Sequence, residues 1–393
     1  MLFRPEAFEP LTETLWDEQR VRAAIRSIVA DVDSAFDPDT LWPADDWDGW
    51  QSAVPMKNLY VGAAGVIWAL DALRRRGHAD TQIDLAAAAA RTLGAFQDAP
   101  DFMAGVELPS SPEAALLTGE TGILLVAWRL APSGDVERDL LAHVRQNRDN
   151  ETDEIMWGTP GTLLAAHAMQ DWTGDDDWRD ACSESAEALW RRRDEDGFWL
   201  QRLYGETYRG LGPAHGVVGN VATLLRALDE DRRARLGRET AALLAREAVV
   251  QGELANWPVH AGGELATEDG EIRVQWCAGA PGIVTCAASY LDAELLEAGA
   301  KLVWRAGPPT MEKGPGICHG TAGNGYALLK LFARTGDEHW LERARRFGVH
   351  ALEQVERRGR GRYSLWTGDL GVALYAADCL EGRSAYPVLE TWD

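Results

Sequence analysis

The chain reads as an all-α protein, an α/α toroid: a closed barrel of seven inner and seven outer helices with its Gly-x-x-Gly turns gathered at one rim. Three observations predict this. Gly-x-x-Gly occurs seven times, each copy opening an apolar segment. Amphipathic stretches lie between the copies. The spacing of the first glycines is uneven, at 57, 39, 58, 63, 41 and 48 residues. A solenoid of stacked helix pairs favours even spacing and a polar concave face, so uneven spacing with apolar inner segments favours a closed ring.

The seven copies are "VGAAGVIWAL" (Gly62, Gly65), "TGETGILLVAWRL" (Gly119, Gly122), "WGTPGTLLAAHAM" (Gly158, Gly161), "AHGVVGNVATLL" (Gly216, Gly219), "WCAGAPGIVTCAA" (Gly279, Gly282), "CHGTAGNGYALLKLF" (Gly320, Gly323) and "WTGDLGVALYAADCL" (Gly368, Gly371). Glycine at the start of a helix signals a turn where one stretch of backbone passes close to another. The segments that follow are apolar nearly all round, the pattern of a buried helix. Between copies, Trp178, Cys182, Ser185 and Leu189 share one helical face, as do Leu341, Ala344, Phe347, Ala351 and Val355, and the opposite faces are charged. The reading is a buried helix followed by a surface helix, repeated. Residues 1–393 form one domain, with 1–50 as an N-terminal helical lead-in and seven helix pairs from about 51 to 393. The stretch from Trp257 to Trp276 reads as an irregular loop or a short hairpin.

Composition narrows the function. The chain has 393 residues, 46% hydrophobic and 26% charged, which is globular. Its formal net charge of -23 argues against duplex nucleic acid as a partner. No stretch of uncharged apolar residues reaches the length of a membrane span. The first residues, "MLFRPEAFEP", lack the apolar core of a signal peptide, so a cytoplasmic location is expected. Five cysteines in such a chain do not make a disulfide framework.

If the seven turns share one rim, the residues beside them become neighbours. Cys318 and His319 stand just before Gly320, Cys277 lies two before Gly279, His215 precedes Gly216, and Glu154 lies four before Gly158 beside Asp153. Cys277, Cys318 and His319 make a Cys₂His set, the three protein ligands that a catalytic zinc keeps while one position stays open. The plain alternative is that they are small buried residues. Cys182, Cys286 and Cys379 fall on apolar helical faces and read as core. His215 reads either as a helix-start packing residue or as a functional group beside the metal. His78, His143, His167, His260, His339 and His350 read as surface or core. Trp157, Trp276 and Trp366 sit on turns and are expected to wall the site.

On "AHGVVG", "WCAGAPG" and "CHGTAGNGYALL" the chain resembles the lanthionine cyclase-like (LanC-like) family over nearly its full length. Its ending, "YSLWTGDLGVALYAADCL" then "YPVLE", is similar to that of the eukaryotic-type LanC-like branch. The resemblance implies an α/α barrel of seven inner and seven outer helices. It implies one zinc held by Cys277, Cys318 and His319, with His215 as the acid/base residue. The family's bacterial cyclases carry an aspartate where Glu154 stands and an arginine where Arg273 stands. Glutathione-binding members have a lysine at the position of Lys313 and an arginine near the N-terminus, to which Arg4 corresponds. Two departures stand out. Ala278 replaces the usual Tyr or His after the first cysteine, and Glu154 is one methylene longer than the cyclase aspartate.

The implied chemistry is thioether formation. A thiol deprotonated at the metal adds to the β-carbon of dehydroalanine or dehydrobutyrine, and His215 returns the proton at Cα, with Glu154 orienting it. Three readings compete: a peptide cyclase, a glutathione-type transferase acting on dehydrated peptides or proteins, and a non-catalytic zinc-containing thiol-binding scaffold. The first implies a partner dehydratase to make the acceptor, and the second implies glutathione as the thiol. Trp276, Lys313 and Arg4 are the expected thiol-binding residues. A water-activating zinc hydrolase is disfavoured, because two thiolate ligands weaken the metal as a Lewis acid.

Overall fold

The computed structural model describes residues 1–49, 55–102, 105–359 and 361–392. In chain order its helices are α1 (Glu18–Ala35), α2 (Ala63–Arg75), α3 (Leu85–Asp98), α4 (Glu120–Leu130), α5 (Gly134–Asn147), α6 (Thr159–Thr173), α7 (Asp176–Arg192), α8 (Val217–Leu224), α9 (Glu230–Glu247), α10 (Ala280–Ala287), α11 (Ala293–Ala306), α12 (Thr321–Thr335), α13 (Glu338–Arg358) and α14 (Asp369–Glu381). Two antiparallel hairpins interrupt them: β1 (Gln201–Leu203) with β2 (Glu206–Tyr208), and β3 (Val249–Gln251) with β4 (Leu254–Asn256). No described helix is long and apolar enough to cross a membrane.

The even-numbered helices are the inner ring. Each starts at the first glycine of a Gly-x-x-Gly motif and touches the next inner helix, and α14 returns to α2 to close the circle. Their burial fits this place: every residue of α2 from Ala63 to Leu73 is buried, and every residue of α14 from Asp369 to Cys379. The odd-numbered helices form the outer ring and bury one face only. On α1 that face is Val21, Ile25, Ile28, Val29 and Val32. Aspartate caps start many of them, as where the Asp229 carboxylate accepts from the Arg232 amide.

The pairing differs from the sequence reading in one respect. No helix follows α14 among the described residues, so the segment after about residue 51 supplies only six outer helices. The seventh is α1, drawn from the lead-in, which packs on α14. An exposed apolar face on α14 would otherwise remain, and α1 has the amphipathic stripe to cover it. The expected start of the repeats, at about residue 51, lies outside the described residues. The stretch 257–276 is the irregular loop expected, with a hairpin just before it, while the β1–β2 hairpin was not anticipated.

Each Gly-x-x-Gly does a specific packing job. A Cβ on the second glycine would meet the carbonyl oxygen of the residue six positions earlier: Leu59 for Gly65 at 2.3 Å, Trp276 for Gly282 at 1.9 Å and Ile317 for Gly323 at 1.8 Å. The side chain at that upstream position also reaches the neighbouring repeat. Leu59 Cβ would lie 2.8 Å from a Cβ on Gly122, Leu116 Cβ 3.2 Å from one on Gly161, and Leu365 Cβ 3.0 Å from one on Gly65. In six of the seven repeats the apolar knob three residues before the first glycine thus seats on the bare second glycine next door. Backbone hydrogen bonds lace the same rim. The amide of Tyr60 donates to Leu117 O at 2.9 Å, Trp366 to Tyr60 O at 3.3 Å, Cys318 to Trp366 O at 2.9 Å and Cys277 to Cys318 O at 3.3 Å.

The contrast between two glycines tests this packing. Gly323→Ala drives its methyl group into Ile317 backbone and is expected to destabilise the chain by about 3 kcal/mol. Gly94→Ala, in the interior of α3 with nothing within 4 Å, should stabilise by up to about 1 kcal/mol. Urea midpoints of the two variants check both signs; a neutral Gly323→Ala would contradict the close approach.

Candidate metal centre and reaction cavity

In five of the seven repeats the residue two before the first glycine faces the centre of the rim; Leu117 and Trp366, at the same register, pack in the core instead. Tyr60, Met156, Ala214, Cys277 and Cys318 all hold this register, and all line one cavity of about 300 Å³. The next position adds His215, Ala278 and His319. A strict repeat therefore brings together side chains that are up to 259 residues apart in sequence (Tyr60 and His319).

The donor atoms of Cys277, Cys318 and His319 all lie within 4.8 Å of one another. His319 turns Nδ1 toward Cys277 Sγ, at 3.5 Å. Two thiols and an imidazole are a donor set that suits zinc, and three ligands fall one short of its tetrahedral complement. The residues present therefore fit a metal of that type. Each sulfur already accepts one neutral hydrogen bond: Gln275 Nε2 donates to Cys277 Sγ at 3.0 Å, and Tyr60 Oη donates to Cys318 Sγ at 3.1 Å. The two thiols are inequivalent. The Cys318 hydrogen bond pulls the Cys277 pKa down against burial, and His319 and Gln275 add to the effect. Burial and the nearby Cys277 push Cys318 up.

His215 faces the same cavity. Its Nδ1 lies 2.8 Å from Glu154 Oε2. Glu154 is fully buried and is itself fixed by two backbone amides, Met156 N to Oε2 at 2.9 Å and Trp157 N to Oε1 at 2.6 Å. The longer glutamate is thus folded back on its own turn and does not line the cavity. It pins the ring through Nδ1 and leaves Nε2 for the cavity. Burial opposes protonation of His215, but the charge and hydrogen bond of Glu154, with the negative charge of Cys277, outweigh it and raise the pKa.

A second cavity of about 200 Å³ adjoins the first and shares His319 and Arg273 with it. Lys313 and Arg362 line it, so three cations face it, with Glu312 opposing. Glu271 tethers two of them, Arg273 Nη1 at 2.7 Å and Lys313 Nζ at 3.2 Å. Trp47 sets its edge against the His319 ring at 5.6 Å, and the Arg362 guanidinium lies 4.5 Å from the Trp47 ring centre. Asp48, almost fully buried, anchors this stretch by accepting from Arg362 Nη2 at 2.9 Å, Ser364 Oγ at 2.9 Å and Thr367 Oγ1 at 2.7 Å.

Several expectations need correction. Trp276 is not a cavity residue: it is fully buried, stacked on Tyr386 at 4.6 Å, because its register is that of the packing knobs. Trp157 and Trp366 are likewise buried behind the rim. Arg4 lies outside both cavities, its guanidinium on the Gly270 carbonyl and near Glu6. His260, read as surface or core, lines the cavity with its ring 4.8 Å from Tyr208. Tyr60, Gln275, Trp47 and Arg362 went unnoticed. Tyr60 holds the same register as the two cysteines, a signal the repeat already carried. Cys182, Cys286 and Cys379 are buried on helices, as expected.

The profile of the "lanthionine synthetase C-like protein" family matches residues 57–391. The chain is 27% identical over 229 residues to glutathione S-transferase LANCL1 of Danio rerio, covering 54% of this chain and 53% of that protein. It thus spans about half the length of this relative. Among solved structures, nisin cyclase superposes with a TM-score of 0.60 over 92% of this chain and 94% of the other, at 15% identity, a likeness of fold.

Glu154→Gln removes the charge that favours the His215 imidazolium. Histidine-selective NMR titration should find the His215 pKa lower in the variant than in the wild type; an unchanged value would mean that the contact does not set the proton's affinity.

Proposed function

Since the chain belongs to the lanthionine synthetase C-like family, we propose that it adds a thiol to the β-carbon of a dehydroalanine or dehydrobutyrine residue, with one zinc held by Cys277, Cys318 and His319. The observation that carries this reading is the convergence of those three donors within 4.8 Å in the same cavity as His215. When bound there, zinc supplies acidity to a thiol beside it, so that a thiolate forms near neutral pH.

The chain's own residues do the rest. As the sulfur–carbon bond forms, the π pair of the acceptor moves toward Cα and its carbonyl oxygen. Arg273 lines the cavity and provides a fixed positive charge for that developing oxyanion. The protonated His215 delivers its proton to Cα through Nε2, and Glu154 keeps the ring aimed. That delivery requires His215 to carry a proton, and the contact with Glu154 shifts its pKa in that direction.

The cationic second cavity favours a small thiol bearing carboxylates, such as glutathione, over a cysteine of the acceptor chain. Arg273, Lys313 and Arg362 bring three cationic side chains to this cavity, where substrate carboxylates would share them with Glu271 and Asp48. The relative named as a glutathione S-transferase supports the same choice. The acceptor is then a dehydrated peptide or protein, and a dehydratase must act before this protein does.

Elemental analysis should find about one zinc per chain in the wild type, lost in Cys318→Ala and kept in His215→Ala. Turnover on a dehydroalanine peptide with glutathione should fall roughly 10²–10⁴-fold in His215→Ala. Its falling limb with rising pH should move to lower pH in Glu154→Gln, since the proton on His215 is then lost sooner. Zinc without turnover on any such acceptor would instead mark a thiol-binding scaffold.

Lys313→Ala and Arg362→Ala should each raise the KM for glutathione about tenfold, the effect of one lost charge-assisted contact, with kcat held within about twofold. Unchanged KM values, together with ring closure within a dehydrated cysteine-containing peptide, would move the assignment to a peptide cyclase.

A further inference from the structure

A chamber that brings a thiol to a Michael acceptor carries a hazard of its own. Cys277 and Cys318 are sulfur nucleophiles in the same cavity, and Cys277 is partly exposed to it. If the Cys277 sulfur added to the acceptor, its bond to the β-carbon would form, the π pair would move to Cα, and a proton from water would fill that carbon. The sulfur would then be a neutral thioether, a poor metal donor, and the centre would lose an anionic ligand.

The geometry points to Gln275 and Tyr60 as the residues that prevent this, an inference that rests on the thiol-addition reading above. We propose that they are positioning residues whose hydrogen bonds occupy a lone pair on each cysteine sulfur, so that only the incoming thiol adds to the acceptor. Gln275 Nε2 reaches Cys277 Sγ at 3.0 Å and Tyr60 Oη reaches Cys318 Sγ at 3.1 Å. Both donors are neutral, so they lower the sulfur's nucleophilicity without adding charge to the centre. Both are held almost out of solvent, Tyr60 at 5% and Gln275 at 6% exposure, where a hydrogen bond is not exchanged for water.

The two sulfurs depend on their donors unequally. Cys318 is 2% exposed, so access already protects it and Tyr60 is a second safeguard. Cys277 has no such cover. Gln275 is fixed for the task by its turn, with its backbone amide donating to Ala278 O at 3.1 Å and its carbonyl accepting from the Ala278 amide at 3.2 Å. A simple packing role for Gln275 would not aim its amide nitrogen at the sulfur two residues on.

The experiment uses the full chain purified with zinc, treated with excess N-ethylmaleimide, itself a Michael acceptor. Modification of each of the five cysteines is followed by peptide mass mapping, and released zinc by a chromophoric chelator. In Gln275→Ala, Cys277 should be modified about tenfold faster than in the wild type, with zinc released in step. In Tyr60→Phe, Cys277 should keep its wild-type rate and Cys318 should gain a smaller increase. Cys182, Cys286 and Cys379 should be unchanged in both. Equal Cys277 rates in Gln275→Ala and wild type would overturn the proposal, as would acceleration of all five cysteines together, which marks a loosened fold. Should Gln275→Ala fail to accumulate, Tyr60→Phe decides, and a Cys318 rate equal to wild type overturns it. A wild-type chain without zinc would overturn the thiol-addition reading as well, whereas zinc with unchanged rates removes only this inference.

Discussion

Everything in this molecule hangs on how closely backbone approaches backbone at the seven glycine turns. The second glycine of each motif lies under a carbonyl six residues upstream, closer than any Cβ could stand, as Gly323 lies under Ile317. That contact fixes the three residues before the first glycine. The first of them, which carries the carbonyl, is a packing knob, and at the Cys277 and Cys318 turns the next two, Cys277 with Ala278 and Cys318 with His319, face the cavity. The laced amides of Tyr60, Trp366, Cys318 and Cys277 then set neighbouring turns at hydrogen-bond distance. Sulfur, imidazole and phenol converge because main chains converge first. The side chains need only short reach, and little rotamer freedom is lost in bringing them together.

Much of this was legible in the sequence, for a physical reason. A motif that forces a turn also fixes its covalent neighbours, so Cys277, Cys318, His319 and His215 could be placed by counting from a glycine. Counting further would have corrected two readings. Three before the first glycine, Leu59, Leu116, Ile155, Pro213, Trp276, Ile317 and Leu365 form one set. Trp276 belongs with them and packs. Two before, Tyr60 joins the two cysteines. Other features had no such handle. His260 arrives on an irregular loop with no periodicity to read. Trp47 and Arg362 meet across 315 residues, and nothing local marks either as the other's partner. The pairing of α1 with α14 follows from ring closure, which is a property of the whole circle.

The electrostatics of the two cavities divide the labour. Around the sulfurs the donors include the neutral Gln275 and Tyr60, and the buried carboxylate of Glu154 is spent on His215 and backbone amides. The adjoining cavity is cationic, yet its charges are not free to collapse onto the sulfurs, because Glu271 holds Arg273 and Lys313 and Asp48 holds Arg362. His319 stands at the boundary, a donor on one side and a wall on the other. A substrate with a soft sulfur and hard carboxylates would find each part matched to the side that suits it.

Because α1 closes the circle on α14, the order in which the chain is made has a consequence for the centre. Cys277 and Cys318 emerge from the ribosome long after Tyr60, and the turn that carries Trp366, which links Tyr60 to Cys318 through the main chain, comes later still. Until α14 has joined α2 and α1, the partial ring has two open edges, and Cys318 lacks the Tyr60 phenol that donates to it in the closed ring. A chain at that stage would present soft donors without their surroundings, open to oxidation and to stray metal. Once the circle closes, the main-chain links from Tyr60 through Trp366 to Cys318 and Cys277 are complete, and the exposure that remains at the centre is that of Cys277 to its own cavity.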